Sequence, residues 1–160
     1  MRVLLFETQH EDGARRWAMP AREIVELVPV VRWRSVDGGP AWLLGVFERQ
    51  GALVPLVDLC LRLGASAVTP RIGSRIAVTR LGDGGRNGLV GLMIESSIGL
   101  ASVDFDSAAA HPGFDARPDA ILGALATSDG VTIQLLRLRH VLPPEVLEAI
   151  LPQAHGGVNA

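Results

Sequence analysis

Short, apolar, β-prone segments recur along this chain at roughly ten-residue spacing, each ended by glycine, proline or aspartate, and that rhythm favours barrels or a sandwich over a doubly wound fold. Val3 to Thr8 and a second short strand through Trp17 and Met19 flank the polar run His10-Glu11-Asp12-Gly13, which reads as a hairpin. Trp42 to Phe47 and Leu53 to Leu59 flank Arg49-Gln50-Gly51 in the same way. Arg75 to Leu81 and Leu89 to Glu95 surround a glycine-rich turn, Gly82 to Gly88, and Ile121 to Ala126 and Val131 to Leu138 pair around Thr127 to Gly130. Between them, Pro20 is suited to open a helix of about two turns carrying Ile24, Val25, Leu27 and Val28 on one side. Val30 to Val36 is a β-prone stretch, Leu100 to Phe105 reads as a further strand, Gly64 closes the segment from Leu59, Ser107 to Asp119 is a polar loop, and Pro143-Pro144 opens a closing helix, Glu145 to Leu151.

The small residues and proline from Ala65 to Gly73 read as a connector, so a single domain over 1–160 is expected with subdomain halves at about 1–65 and 75–142 and a C-terminal helix and tail at 143–160. One internal similarity supports two related halves. Leu44-Gly45 followed by Gly51 and an apolar strand matches Leu122-Gly123 followed by Gly130 and an apolar strand. The expected fold class is mainly β with short helices.

At 160 residues, with 48% apolar and 20% charged side chains, the chain has enough material for a core without staples and lacks the composition of a disordered segment. A formal charge of -2 and a pI near 6.1 supply no basic field, so nucleic acid is not an expected partner. All 15 cationic residues are arginine. No apolar run approaches the ~20 residues needed to span a bilayer and no secretory leader is evident, so a cytoplasmic protein without membrane insertion is expected. The single cysteine, Cys60, lies between Leu59 and Leu61 and reads as a small buried hydrophobe.

The sequence offers little for catalysis. No G-x-S-x-G elbow is present, and the serines Ser96, Ser97 and Ser128 are not linked to a histidine by any local pattern. His10, His111, His140 and His155 are scattered where a metal site needs close, repeated spacing. The glycine run at 82–88 lacks the Lys-Ser/Thr ending of a phosphate loop, and Asp58, Glu95 and Asp129 sit at strand ends or turns, where carboxylates cap backbone groups. With no cofactor, metal or catalytic residue assigned, a binding role is what remains.

Gly45, Val46, Gly51, Val54, Pro55, Asp58 and Leu59 match the glycine turn and following V-P-V-x-D-L strand of the CheW-like coupling family. Trp17 to Pro20 with Ile24 to Leu27 is similar to that family's Y-A-I-P and V-x-E-V elements, Gly91 to Glu95 to its G-L-x-V-D strand, and Ile121 through Leu136 to its closing hairpin. The resemblance spans residues 2–142. It implies two five-stranded SH3-like barrels packed together, no cofactor, and a non-enzymatic adaptor that links the cytoplasmic tip of a chemoreceptor to the CheW-like regulatory domain of a histidine kinase.

The same resemblance implies a protein-binding set of Ile24, Glu26, Arg49, Gln50 and Gly45, with the family's turn arginine falling on Gln50. Gln50 cannot carry that charge, and Arg49, one place earlier, would point to the opposite face of a continuing strand unless the turn is shifted. Glu48 for the usual asparagine and Arg137 for a frequent aspartate mark a divergent coupler. For Gly45 and Gly51 a purely structural place in the hairpin is the stronger reading. The rival readings are a small ligand-binding barrel or enzyme, with the Ser107 to Asp119 loop over His111 and Asp115, and an array paralogue that binds only the kinase.

Overall fold

The computed structural model describes residues 1–81, 88–105 and 121–146. Its strands are β1 (Arg2–His10), β2 (Gly13–Pro20), β3 (Ile24–Pro29), β4 (Leu43–Arg49), β5 (Ala52–Asp58), β6 (Arg75–Arg80), β7 (Leu89–Ile94), β8 (Ser97–Ser102), β9 (Leu122–Ser128) and β10 (Val131–Leu136), with a short helix, α1 (Leu59–Arg62), and helical backbone at 144–146. They form two five-stranded sheets, ordered β8-β1-β2-β10-β9 and β3-β6-β7-β5-β4.

The two sheets share one plan. Each joins two antiparallel hairpins through a parallel contact, β2 with β10 in the first and β7 with β5 in the second, and adds a lone strand, β8 or β3, at one edge. The repeated Leu-Gly hairpins occupy equivalent places, as β4–β5 and β9–β10. Both turn through two residues of positive φ, Gln50 (50°) with Gly51 (81°) and Asp129 (51°) with Gly130 (77°), the signature of a type I′ turn whose twist suits paired strands.

Alternation along the strands builds three cores. In β1, Val3 and Leu5 face a cluster with Ala18, Val103, Phe105, Ala126 and Ile133 inside the first sheet, while Leu4 and Phe6 face the other way. In the second sheet Phe47, Leu56, Ile76, Val78 and Met93 fill the interior, while Val57, Ala77, Leu92 and Ile94 face outward. The two outward faces meet in a shared core that includes Phe6, Trp17, Met19, Leu59 and Leu136. Both faces of these strands are therefore buried, which is why their sequences are nearly continuous apolar runs.

Four expectations are corrected. The segment expected as a helix after Pro20 is a 3₁₀ turn (Ala21–Glu23) followed by β3, whose residues pair antiparallel with β6 from Ile24↔Thr79 to Pro29↔Arg75. The β-prone stretch Val30 to Val36 forms no strand, and its backbone pairs with β4 through an isolated Arg34↔Val46 bridge. The strand expected at Leu100 to Phe105 lies earlier, at Ser97–Ser102, and Val103 and Phe105 are core residues instead. The connector at 65–73 does not divide the molecule: β3 to β7 form the second sheet, and the first sheet takes its strands from both ends of the chain. The turn at 82–87, the loop at 106–120 with His111 and Asp115, and the part of the closing helix from residue 147 lie outside the described residues.

Candidate functional site

The strands β3 and β4 are the two edges of the second sheet, and the segment that follows β3 crosses to β4. At the seam the Arg34 and Val46 backbones exchange two hydrogen bonds of 2.8 Å each. Gly45, buried at φ +149°, makes this approach possible: a Cβ there would lie 1.9 Å from the Arg34 carbonyl oxygen. Val28 and Val30 then reach the interior cluster that holds Phe47.

The same closure brings Glu26 of β3 to Arg49 of β4, where the Arg49 Nε–H donates to Glu26 Oε1 in an ion pair. The two-residue turn explains the partner. Arg49 is the last paired residue of β4, opposite Ala52, so its side chain leaves from the strand, while Gln50 occupies the positive-φ tip and is exposed. The arginine one place before the position expected from the family pattern thus meets Glu26. Arg49 is 18% and Glu26 37% exposed, so the pair sits at the surface with its arginine stem covered.

Beside the pair, β3 alternates: Ile24, Glu26 and Val28 are half-buried, Val25 and Leu27 exposed at 41% and 39%. Ile24 packs on the shared core. Of the expected set, then, Glu26, Arg49 and Gln50 lie together at the surface, Ile24 anchors their strand from below, and Gly45 is an internal seam residue. Val25 and Leu27 were missed as surface residues because a helical reading places both on the covered side; the run Ile24-Val25, β-branched and facing β-branched Thr79, is the signal that favours a strand.

Asp58, buried and part of the family motif, is a structural anchor. Its Oδ1 accepts from the Leu61 N–H at 2.9 Å, capping α1, and its Oδ2 accepts from the Val68 N–H at 2.8 Å, tying down the connector. Arg62 clamps the sheets together by donating to the Val141 carbonyl at 2.9 Å with its guanidinium 5.0 Å from the Trp42 ring, and burial lowers its pKa. Burial pushes the Cys60 thiol up to about 11, which removes it as a nucleophile at neutral pH. Among the described residues no group of three or more His, Cys, Asp or Glu is arranged to hold a metal ion.

A two-barrel β molecule with filled interiors, offering a charged strand edge between exposed aliphatic side chains, has the build of a protein-docking module. The model of the CheW-like domain family matches residues 2–145, and the chain belongs to that family. It is 30% identical over 133 residues to the chemotaxis protein CheW of Rhizobium meliloti (82% of this chain, 81% of that one) and 32% identical over 71 residues to that of Helicobacter pylori (44% and 43%). The fold matches the crystal structure of the scaffolding protein TtCheW from Thermoanaerobacter tengcongensis with a TM-score of 0.71 at 18% identity, covering 88% of this chain and 90% of that one. No helix among the described residues is long and apolar enough to cross a membrane.

Proposed function

We propose that this protein is a cytoplasmic, non-enzymatic adaptor that couples the tip of a chemoreceptor to the CheW-like regulatory domain of a chemotaxis-type histidine kinase. The observation that carries this reading is the Glu26–Arg49 pair held at the barrel seam beside exposed Val25 and Leu27, in a chain of the CheW-like family. An edge strand with aliphatic side chains on one face offers an apolar strip, and the ion pair at its margin fixes register and discourages mismatched partners. Cores filled by aliphatic and aromatic side chains, with Cys60 buried and protonated, support a role in assembly over a role in turnover.

Titration of the purified protein with a receptor-tip hairpin and with the kinase regulatory domain tests the reading. Saturable binding to both is the expected result. Binding to the kinase domain alone identifies a kinase-only array paralogue, and binding to neither refutes the adaptor.

A further inference from the structure

Beyond Val30 the chain runs along the surface. Val31 to Ser35 are all exposed, with Trp33 37% and Val31 42% accessible, and the Arg34↔Val46 bridge holds the stretch against β4. Arg32 and Arg34 flank the tryptophan, and neither guanidinium has an ion-pair or hydrogen-bond partner among the described residues. All three residues border a cleft of ≈ 550 Å³ whose wall includes Phe47 and half-buried Leu53. Among the described residues the acidic one lining it is Glu48, so the lining carries two guanidiniums against a single carboxylate and is net positive on a chain of net charge -2.

We propose that the Arg32-Trp33-Arg34 ledge is a docking site for an acidic segment of a partner protein, distinct from the Glu26–Arg49 edge. Carboxylates of the segment pair with the two guanidiniums, and an apolar side chain between them enters the cleft against Trp33 and Leu53. Arginine and tryptophan are the side chains that most often dominate the energetics of protein interfaces, since each combines a large apolar area with directed polar contacts. The cleft falls within the 300–1,000 Å³ of ordinary binding pockets. A partly apolar cleft in a net acidic protein suits a peptide better than a long phosphate polyanion, which draws its affinity from a broad basic field.

The test uses the full chain and an N-acetylated, C-amidated peptide, Asp-Glu-Leu-Leu-Glu-Glu, followed by the Trp33 indole N–H resonance at low salt. A saturable shift is expected, absent with Lys-Lys-Leu-Leu-Lys-Lys, and weakened about tenfold or more in R32E/R34E because two attractions become repulsions. R32K/R34K should keep part of the affinity and W33A should lose most of it, while both fold normally because the replaced side chains are exposed. No saturable shift at millimolar peptide, or equal binding by R32E/R34E, overturns the proposal. So does tighter binding at this ledge of phosphatidylglycerol vesicles or a thymidine oligonucleotide, which would make it a phosphate site. Because the probe is a peptide, the result stands apart from the receptor and kinase titrations.

Discussion

Replacing Gly45 with alanine is expected to open the barrel seam. The new Cβ would stand 1.9 Å from the Arg34 carbonyl oxygen and 2.9 Å from the Ser35 Cα, both backbone atoms that no rotamer change can move away. Relief requires the 30–36 segment to withdraw from β4, which breaks the two 2.8 Å bonds between Arg34 and Val46. Each is worth about 1 kcal/mol net, and the Val46 N–H and C=O, in a residue only 2% exposed, cost about 1–3 kcal/mol if left unpaired. A side chain at φ +149° adds roughly 1 kcal/mol or more. These terms overlap, and together they give about 3–5 kcal/mol, a large part of the ~5–15 kcal/mol of an ordinary domain. In urea, with m of about 2 kcal/mol/M, the midpoint should fall by about 2 M. Gly130→Ala is the control, since its φ of +77° carries the conformational cost but no atom lies within 4 Å of its Cβ position. If Gly45→Ala costs no more than Gly130→Ala, the seam does not explain this glycine.

Glu26→Arg sets two cations side by side at a surface site, so melting should move little, by about 1 kcal/mol or less, while affinity for the receptor-tip hairpin falls; unchanged affinity by calorimetry removes Glu26 from the docking face. Asp58→Ala should cost about 2–4 kcal/mol and speed hydrogen exchange at the Leu61 and Val68 amides, whereas Asp58→Asn keeps an acceptor oxygen and should lose less. Cys60 has its thiol raised from 9.0 to about 11, so native and unfolded chains are both protonated below pH 9 and only the unfolded chain ionises between the two values. Stability from this group is fully present below pH 9 and is lost as pH rises toward 11, by at most about 2–3 kcal/mol, and a Cys60→Ala variant should show a shallower alkaline decline in denaturant titrations.

The hairpins were legible because their signals are local. Turn chemistry at Arg49 to Gly51 and at Thr127 to Gly130 between apolar runs marks both hairpins, and the structure narrows each to its last two residues, Gln50-Gly51 and Asp129-Gly130. Assignment of β3 failed because Ile24, Val25, Leu27 and Val28 satisfy the helical period as well as they fill a strand, and Pro20 fits the start of either. The pairing with β6, some fifty residues away in sequence, decides between them, and no local propensity reports it. The exchange of strands between sheets was hidden for the same reason: the parallel contacts β2 with β10 and β5 with β7 join distant segments without a turn between them. At the site, Glu26 was legible from its motif. Its partner depended on one residue of turn register, which puts Arg49 on the strand and Gln50 at the tip.

The chain's path bears on what an adaptor must do. The second sheet, β3 to β7, is inserted between β2 and β8 of the first, so the covalent chain crosses between barrels twice. The shared core holds 16 buried residues among those described, against 9 and 7 in the two barrel interiors. Arg62 adds a polar clamp, reaching from α1 to the carbonyls of His140 and Val141. Buried apolar side chains contribute about 1.5–3 kcal/mol each, so separating the barrels would forfeit the largest block of stabilisation in the molecule. Partners docked on different faces, as proposed above, would therefore be held at a fixed spacing, because the material between them is close-packed and resists deformation. A force or orientation imposed at the β3 edge is borne by both barrels together, which a pair of domains on a flexible linker could not do.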